Sequence, residues 1–315
     1  MARKLLVLLG CVVVVVVAVL VVRGSETLTG SRDEFCSAEV DGDLVEVDLA
    51  QARYASLIAA TAVKRGMPAR ATTIGIATAY QESKIRNLDY GDRDSLGLFQ
   101  QRPSQDWGTP AQVQDPRYAV DKFLQTLEHV DGYATMEVTE AAQAVQRSAY
   151  GDAYAEHEPY ARVLASALSG NSPAAFTCQV DPPAEGDQEI VSSGLTVTAD
   201  QVRADVQASF GAVPSGGYAP GGVDSGHSPG SAHYDGRAID FFFKPVSDSS
   251  LTNGWALAQY LVANASRLKV QTVIFDDRIW TAQRSSSGWR EYDPPARAGA
   301  SETLRHRDHV HVDVA

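Results

Sequence analysis

The sequence predicts a multidomain chain: an N-terminal transmembrane helix, an all-α domain, then an α+β domain. Three observations lead there. Leu5 to Val22 is an uncharged apolar run directly behind Arg3 and Lys4. From Asp48 to Ser169 apolar residues recur at helical spacing, with almost no strand signal between them. Near the C-terminus Arg237 to Phe243 and His306 to Val314 alternate with period 2, as strands with one face on a core do. The expected boundaries are 1–23 for the anchor, 24–47 for a tether, 48–170 for the helical domain, 171–197 for a linker and 198–315 for the α+β domain.

The apolar run is about long enough to cross a bilayer at roughly 1.5 Å per residue. Arg3 and Lys4 favour a cytoplasmic N-terminus, so the expected location is the cell membrane, single-pass, with the C-terminal domains extracellular. Val22-Arg23-Gly24 is a weak cleavage site, and cutting there gives a secreted protein instead. Hydrophobic content of 44% and charged content of 21% describe a globular chain rather than a disordered one. The net charge of −12 comes without a basic stripe, so no nucleic-acid partner is expected. Cys36 and Cys178 stand on either side of the helical domain, and no reactive-cysteine signature surrounds either. Outside the cytoplasm they are expected to pair, closing a long loop; two free thiols are the alternative.

Asp48 with Gln51 three residues on is a candidate N-cap. Tyr54, Leu57, Ile58 and Ala62 trace the buried face of the helix that follows, and Gly66 with Pro68 ends it. Further helices are expected at 69–83, 115–130, 139–149 and 158–169. In the last third, Thr198 to Ser209 and the face Leu257, Tyr260, Leu261, Ala265 and Leu268 read as helices, and Val270 to Phe275 as a buried strand. Pro214 to Pro229 is a Gly/Ser/Pro-rich loop leading into the C-terminal motif. His129 and His157 read as ordinary surface residues of helices.

Within the helical domain Gln81-Glu82-Ser83 is followed by Gly91-Asp92-Arg93-Asp94 and then Gly97-Leu98-Phe99-Gln100. Glu82 ends a helix whose other residues are mainly apolar or small, and a carboxyl at the edge of an apolar pocket stays protonated, as a general acid must. A solvated glutamate at a helix end is the plainer reading of the same residue. These motifs, from about Asp48 to Ser169, resemble the goose-type lysozyme and soluble lytic transglycosylase superfamily. The resemblance implies an all-α lysozyme-like domain with Glu82 as catalytic acid and Gly97 and Gln100 lining the sugar cleft. It offers Asp92 as a second carboxylate, with Asp94 as competitor, and Tyr150 as a substrate-side tyrosine. One acid alone gives an anhydro sugar, whereas a second carboxylate roughly 6.5–9.5 Å away activates water; the sequence leaves both open.

At the C-terminus Ser231-Ala-His233 and Asp240 precede the late pair His309-Val-His311. Alternation places His309, His311 and Asp313 on one face, opposite Val310, Val312 and Val314. Two imidazoles and a carboxylate leave a tetrahedral metal one open position for water. The pattern S-x-H-x(6)-D with a late His-x-His resembles the D-alanyl-D-alanine carboxypeptidase and murein endopeptidase group of zinc peptidases, over about the last third of the chain. The resemblance implies a Zn2+ ion on His233, Asp240 and His311. It implies His309 as base, with Asp308 as rival, and His306 near the substrate. His227 is one more imidazole close by, and Arg237 is a candidate oxyanion donor.

The two resemblances together imply a bifunctional peptidoglycan hydrolase that cuts glycan at Glu82 and stem or cross-link peptide at the metal. Two other classes compete. One is a catalytically inactive peptidoglycan-binding scaffold of a secretion or conjugation apparatus. The other is a surface metal-binding protein without hydrolysis.

Overall fold

Asp48 caps the first helix through its carboxylate, which accepts from Gln51 N at 2.9 Å, while Gln51 Oε1 accepts from Asp48 N at 3.1 Å. This reciprocal capping box starts helix α1, Leu49–Lys64. Pro68 then leads into α2, Ala69–Ser83, which ends where Lys84 turns left-handed. The remaining helices of this lobe are α3 (Pro110–Gln114), α4 (Pro116–Glu128), α5 (Val138–Gln146) and α6 (Glu158–Leu168). Each longer one lies within a few residues of its expected range. The computed structural model describes residues 33–147, 151–294 and 301–315.

The expected fold class needs two corrections. Among the described residues no helix is long and apolar enough to cross a membrane. The run at 1–23 lies outside the described residues, so the single-pass anchor and the membrane location drawn from it are not retained. The first lobe is also not all-α. It carries a three-stranded antiparallel sheet in the order β2-β1-β3, from Asp43–Val47, Phe35–Val40 and Phe176–Gln179. The cause is local. Asp41 and Gly42 both take positive φ, 53° and 90°, the geometry of a two-residue hairpin turn. Cys36 and Ala38 on one strand and Val45 and Val47 on the other then bury alternate side chains. Residues 24–47, read as a tether, thus contain a hairpin.

Cys36 lies directly opposite Cys178 in this sheet, and the two form a disulfide across a sequence separation of 142. The stretch 171–197, read as a linker, contributes β3 to the first lobe. It then runs along the second lobe, where Gly186 N donates to Ala315 O at 3.0 Å.

The second lobe is α+β. Helix α7 (Val197–Phe210) precedes a six-stranded antiparallel sheet in the order β4-β5-β9-β6-β7-β8. Its strands are Ser215–Gly216, Ala238–Phe242, His309–Val314, Val270–Phe275, Arg278–Thr281 and Arg290–Glu291. Helix α8 (Asp248–Ala263) covers β6 and β9 on one face and packs on α1 with the other, and the short α9 (Ala265–Leu268) follows it. One continuous hydrophobic core runs from Ile58 and Ile74 through Leu257 and Leu261 to Val310 and Val312. Polar groups buried where the lobes meet are paired, as they must be away from water. Gln259 accepts from Phe176 N at 2.7 Å and donates to Ala167 O at 2.6 Å. Asp205 accepts from Arg117 at 2.7 Å, Arg267 at 2.9 Å and Tyr260 at 2.7 Å.

Candidate functional site

Strand register builds the first cluster. Asp240 pairs with His311, flanked by Ala238 with Asp313 and Phe242 with His309. Alternation sends Asp240, His309, His311 and Asp313 to one face, while Ile239, Phe241, Val310 and Val312 enter the core on the other. His233 arrives from a single turn, Ala232–Asp235, capped by Ser231 and closed by Gly236 at φ 67°. Gly236 has no room for a side chain, because a Cβ there would meet Gly194 O at 2.5 Å. Gly217, just past β4, is as constrained: a Cβ would stand 2.4 Å from His233 Cε1.

These elements bring three donor atoms together. His233 Nε2 lies 3.1 Å from His311 Nδ1 and 3.2 Å from Asp240 Oδ1, and His311 Nδ1 lies 3.1 Å from Asp240 Oδ1. His233 Nδ1 donates to Gly217 O at 2.8 Å, which leaves Nε2 bare and turned to the other two. His311 Nε2 faces Asp313 Oδ2 at 3.6 Å on its far side. Both imidazoles are therefore oriented from behind by an oxygen, as metal-binding histidines are. A tetrahedral ion with bonds of about 2.0–2.1 Å needs donors about 3.3 Å apart, so the three residues fit such an ion. A second donor set overlaps the first: one atom from each of His227, His233 and Asp240 lies within 4.8 Å of the others. His227, His233 and Asp240 thus form a possible metal-binding triad.

His309 and Asp308 occupy different places in this cluster. Asp308 Oδ1 accepts from His309 Nδ1 at 2.7 Å, so the bare His309 Nε2 faces the centre, 3.7 Å from Asp240 Oδ1. The other Asp308 oxygen is taken by Thr303 Oγ1 at 2.8 Å and Lys244 Nζ at 3.1 Å. Burial alone would raise the Asp308 carboxyl, but the hydrogen bonds from His309, Thr303 and Lys244 hold it below the usual carboxylate range. Burial likewise works against the charge on Asp240, yet hydrogen bonds from His233 and His311 keep it well below that range. His306 is driven the other way, down to about 3, by burial and then by the neighbouring His309 and His311. It stands as a neutral ring 4.6 Å from that of His309 and 4.9 Å from that of Tyr292. Arg237 is engaged at the sheet edge, donating to Val314 O at 3.2 Å and Asp235 at 2.9 Å. A cavity of about 490 Å³, lined also by Phe242, Thr272 and Tyr292, opens over the cluster.

The second site is at the end of α2. Glu82 lines a cavity of about 440 Å³ together with Asp92, Gln100, Gln101, Trp107 and Gln146. Burial raises the Glu82 carboxyl, opposed by hydrogen bonds from Tyr154 and Gln146. Tyr154 Oη donates to Glu82 Oε1 at 2.7 Å. Asp92 reaches the same cavity with its side chain 92% exposed, 3.9 Å from Arg93 Nε. Asp94 is tied away by Arg102 Nε at 2.9 Å and by Ser104 N at 2.8 Å and Oγ at 3.0 Å, which pull its carboxyl far down.

Gly97, at φ 76°, lies against Val113 O, where a Cβ would come within 2.3 Å. Its neighbour Gln100 spends its amide on Tyr90 O and Gly97 O, both at 3.2 Å, shaping the loop. Gln101 is 2% exposed, and among the described residues neither its Oε1 nor its Nε2 has a hydrogen-bond partner. Tyr150 lies outside the described residues. Sequence reading missed Tyr154 and Gln146, which belong to no local motif, and gave no role to Gln101, which directly follows the Gly97 to Gln100 segment. It also placed His157 on the surface, whereas that ring is buried against Tyr80 and hydrogen-bonds Gln81 Oε1 at 2.7 Å.

Residues 191–306 match the family model described as VldE, C-terminal domain. The matched segment is less than half of the chain; it contains His227, His233 and Asp240 and ends before His309 and His311. No curated protein matches the chain. The second lobe is thus similar to that family in the part that carries the first half of the metal-type cluster.

Proposed function

We propose that the chain is a bifunctional peptidoglycan hydrolase, cutting glycan at Glu82 and peptide at a zinc centre held by His233, Asp240 and His311. The observation that carries the reading is the triangle of donor atoms 3.1 to 3.2 Å apart, oriented from behind by Gly217 O and Asp313. Softer thiolate ligands are absent from the described cluster, and two imidazoles with one carboxylate suit zinc. When bound, the ion supplies Lewis acidity, lowering the pKa of a water toward roughly 7 and polarising a carbonyl.

The protein's own groups do the rest. His309 takes a proton on Nε2 and later returns it to the leaving amine, while Asp308 holds the opposite nitrogen and stays ionised. His306, kept neutral, forms part of the wall beside it. In the other lobe Glu82 enters the reaction protonated, donates to the glycosidic oxygen, and is aimed by Tyr154. Asp92 is the carboxylate available across that cavity, and Gln100 shapes the loop bearing Gln101.

Two cuts on one polymer give a single substrate to both lobes. The test is digestion of purified peptidoglycan with and without a chelator. New sugar ends that persist in chelator, beside new peptide ends that vanish in it, support the reading. Sacculi that bind the protein and release nothing favour the scaffold reading in its place.

A further inference from the structure

We infer that His227 is a fourth, displaceable protein ligand of the metal centre, occupying the position a water needs. The inference rests on the proposed zinc centre and adds a state of it.

His227 sits on the loop between β4 and the His233 turn. Its ring stacks on that of His233 with centroids 3.9 Å apart and planes 19° from parallel. A ring nitrogen of His227 is within 4.8 Å of donor atoms of both His233 and Asp240, the residues already committed to the centre. Closing to the donor spacing of about 3.3 Å requires a shift of roughly an ångström or two. The loop is built to allow such a shift. Gly217, Gly221, Gly222, Gly226 and Gly230 all take positive φ, and four of them have open space where a Cβ would be. Those four, unlike Gly217 against His233, therefore serve conformational freedom rather than close packing.

The loop is nonetheless directed. Tyr234 Oη accepts from His227 N at 3.1 Å and donates to His227 O at 2.6 Å, holding the His227 backbone over the cavity. Tyr234 follows His233 directly, so one turn fixes both the ligand and the approach of the loop. Three protein ligands leave a catalytic position open, whereas four close it. With His227 bound the centre would hold metal firmly and exclude water; with the ring swung away from a backbone that Tyr234 keeps in place, that position would be open to water or substrate.

The test uses the full chain with metal binding as its readout. Zinc affinity is measured by competition with a chromophoric chelator for the unmutated protein, His227→Ala, His227→Asn and His233→Ala. The same proteins loaded with Co2+ are titrated with azide and followed by visible absorption. The expected result is a loss of about 10–100-fold in zinc affinity in both His227 variants. Their Co2+ spectra should shift at low azide, whereas the unmutated protein should need far more. Equal affinities, or equal azide response with and without His227, overturn the inference while leaving the centre intact. If His233→Ala also binds zinc as the unmutated protein does, the metal reading falls and the inference falls with it. A metal-free melting temperature unchanged in His227→Ala confirms that folding is not the cause of any difference.

Discussion

Glu82 and His309 illustrate how single side chains are prepared by their surroundings. Glu82 is half-buried at a helix end, and burial raises its carboxyl although Tyr154 and Gln146 donate to it. A carboxyl whose pKa is higher in the folded state favours folding below its unfolded value and loses that contribution as pH rises through the folded value. Glu82→Gln, which stays neutral, is therefore expected to melt above the unmutated protein at pH 7. The difference should close below about pH 4, where Glu82 is protonated in both states. Thermal melts across pH 3–8 measure this, and a variant that melts lower at pH 7 contradicts it.

Much of the residue-scale account was legible in the sequence, because Glu82, His233, Asp240, His309 and His311 lie in short motifs whose spacing is itself the signal. The sequence favoured His309 as base but kept Asp308 as a rival; the structure adds that Thr303 and Lys244 take up the Asp308 oxygen that His309 leaves. Tyr154 reaches Glu82 only through tertiary packing, and no local pattern announces it.

At the scale of elements, period and capping carried most of the information. The Asp48–Gln51 box and the alternation through Val314 gave helix and strand at their correct places. The hairpin at 35–47 was missed although Asp41-Gly42 between alternating apolar residues is a hairpin signal. It was overlooked because Glu39, Asp41, Asp43 and Glu46 make the segment read as solvated. The hairpin matters for stability, since it carries Cys36 against Cys178. Replacing both cysteines by alanine is expected to cost about 2–5 kcal/mol, because the unfolded chain regains the freedom of a very long loop. Urea denaturation of the double variant measures it, and a change below about 0.5 kcal/mol contradicts a stabilising role.

For the molecule as a whole, the two lobes are bound by more than their connection. Helix α8 lies between the sheet of the second lobe and α1 of the first, and its Gln259 is fully buried. Gln259→Ala leaves Phe176 N without its partner, while Ala167 O keeps the hydrogen bond from Gly170 N, at a cost of about 1–3 kcal/mol from one orphaned group. Because the core is continuous, denaturant should unfold both lobes in one transition, in the variant as in the unmutated protein. Two separated transitions reported by probes in different lobes contradict that. On the proposed function, the two cavities of this joint body act on different bonds of one polymer.

The most direct measurement is mass spectrometry of fragments released from purified peptidoglycan, with zinc present, by the unmutated chain, Glu82→Gln and His311→Ala. The account predicts that Glu82→Gln loses only glycan cuts and His311→Ala only peptide cuts. Loss of both kinds of cut in either folded variant, or no fragments from the unmutated chain, contradicts a hydrolase with two independent sites.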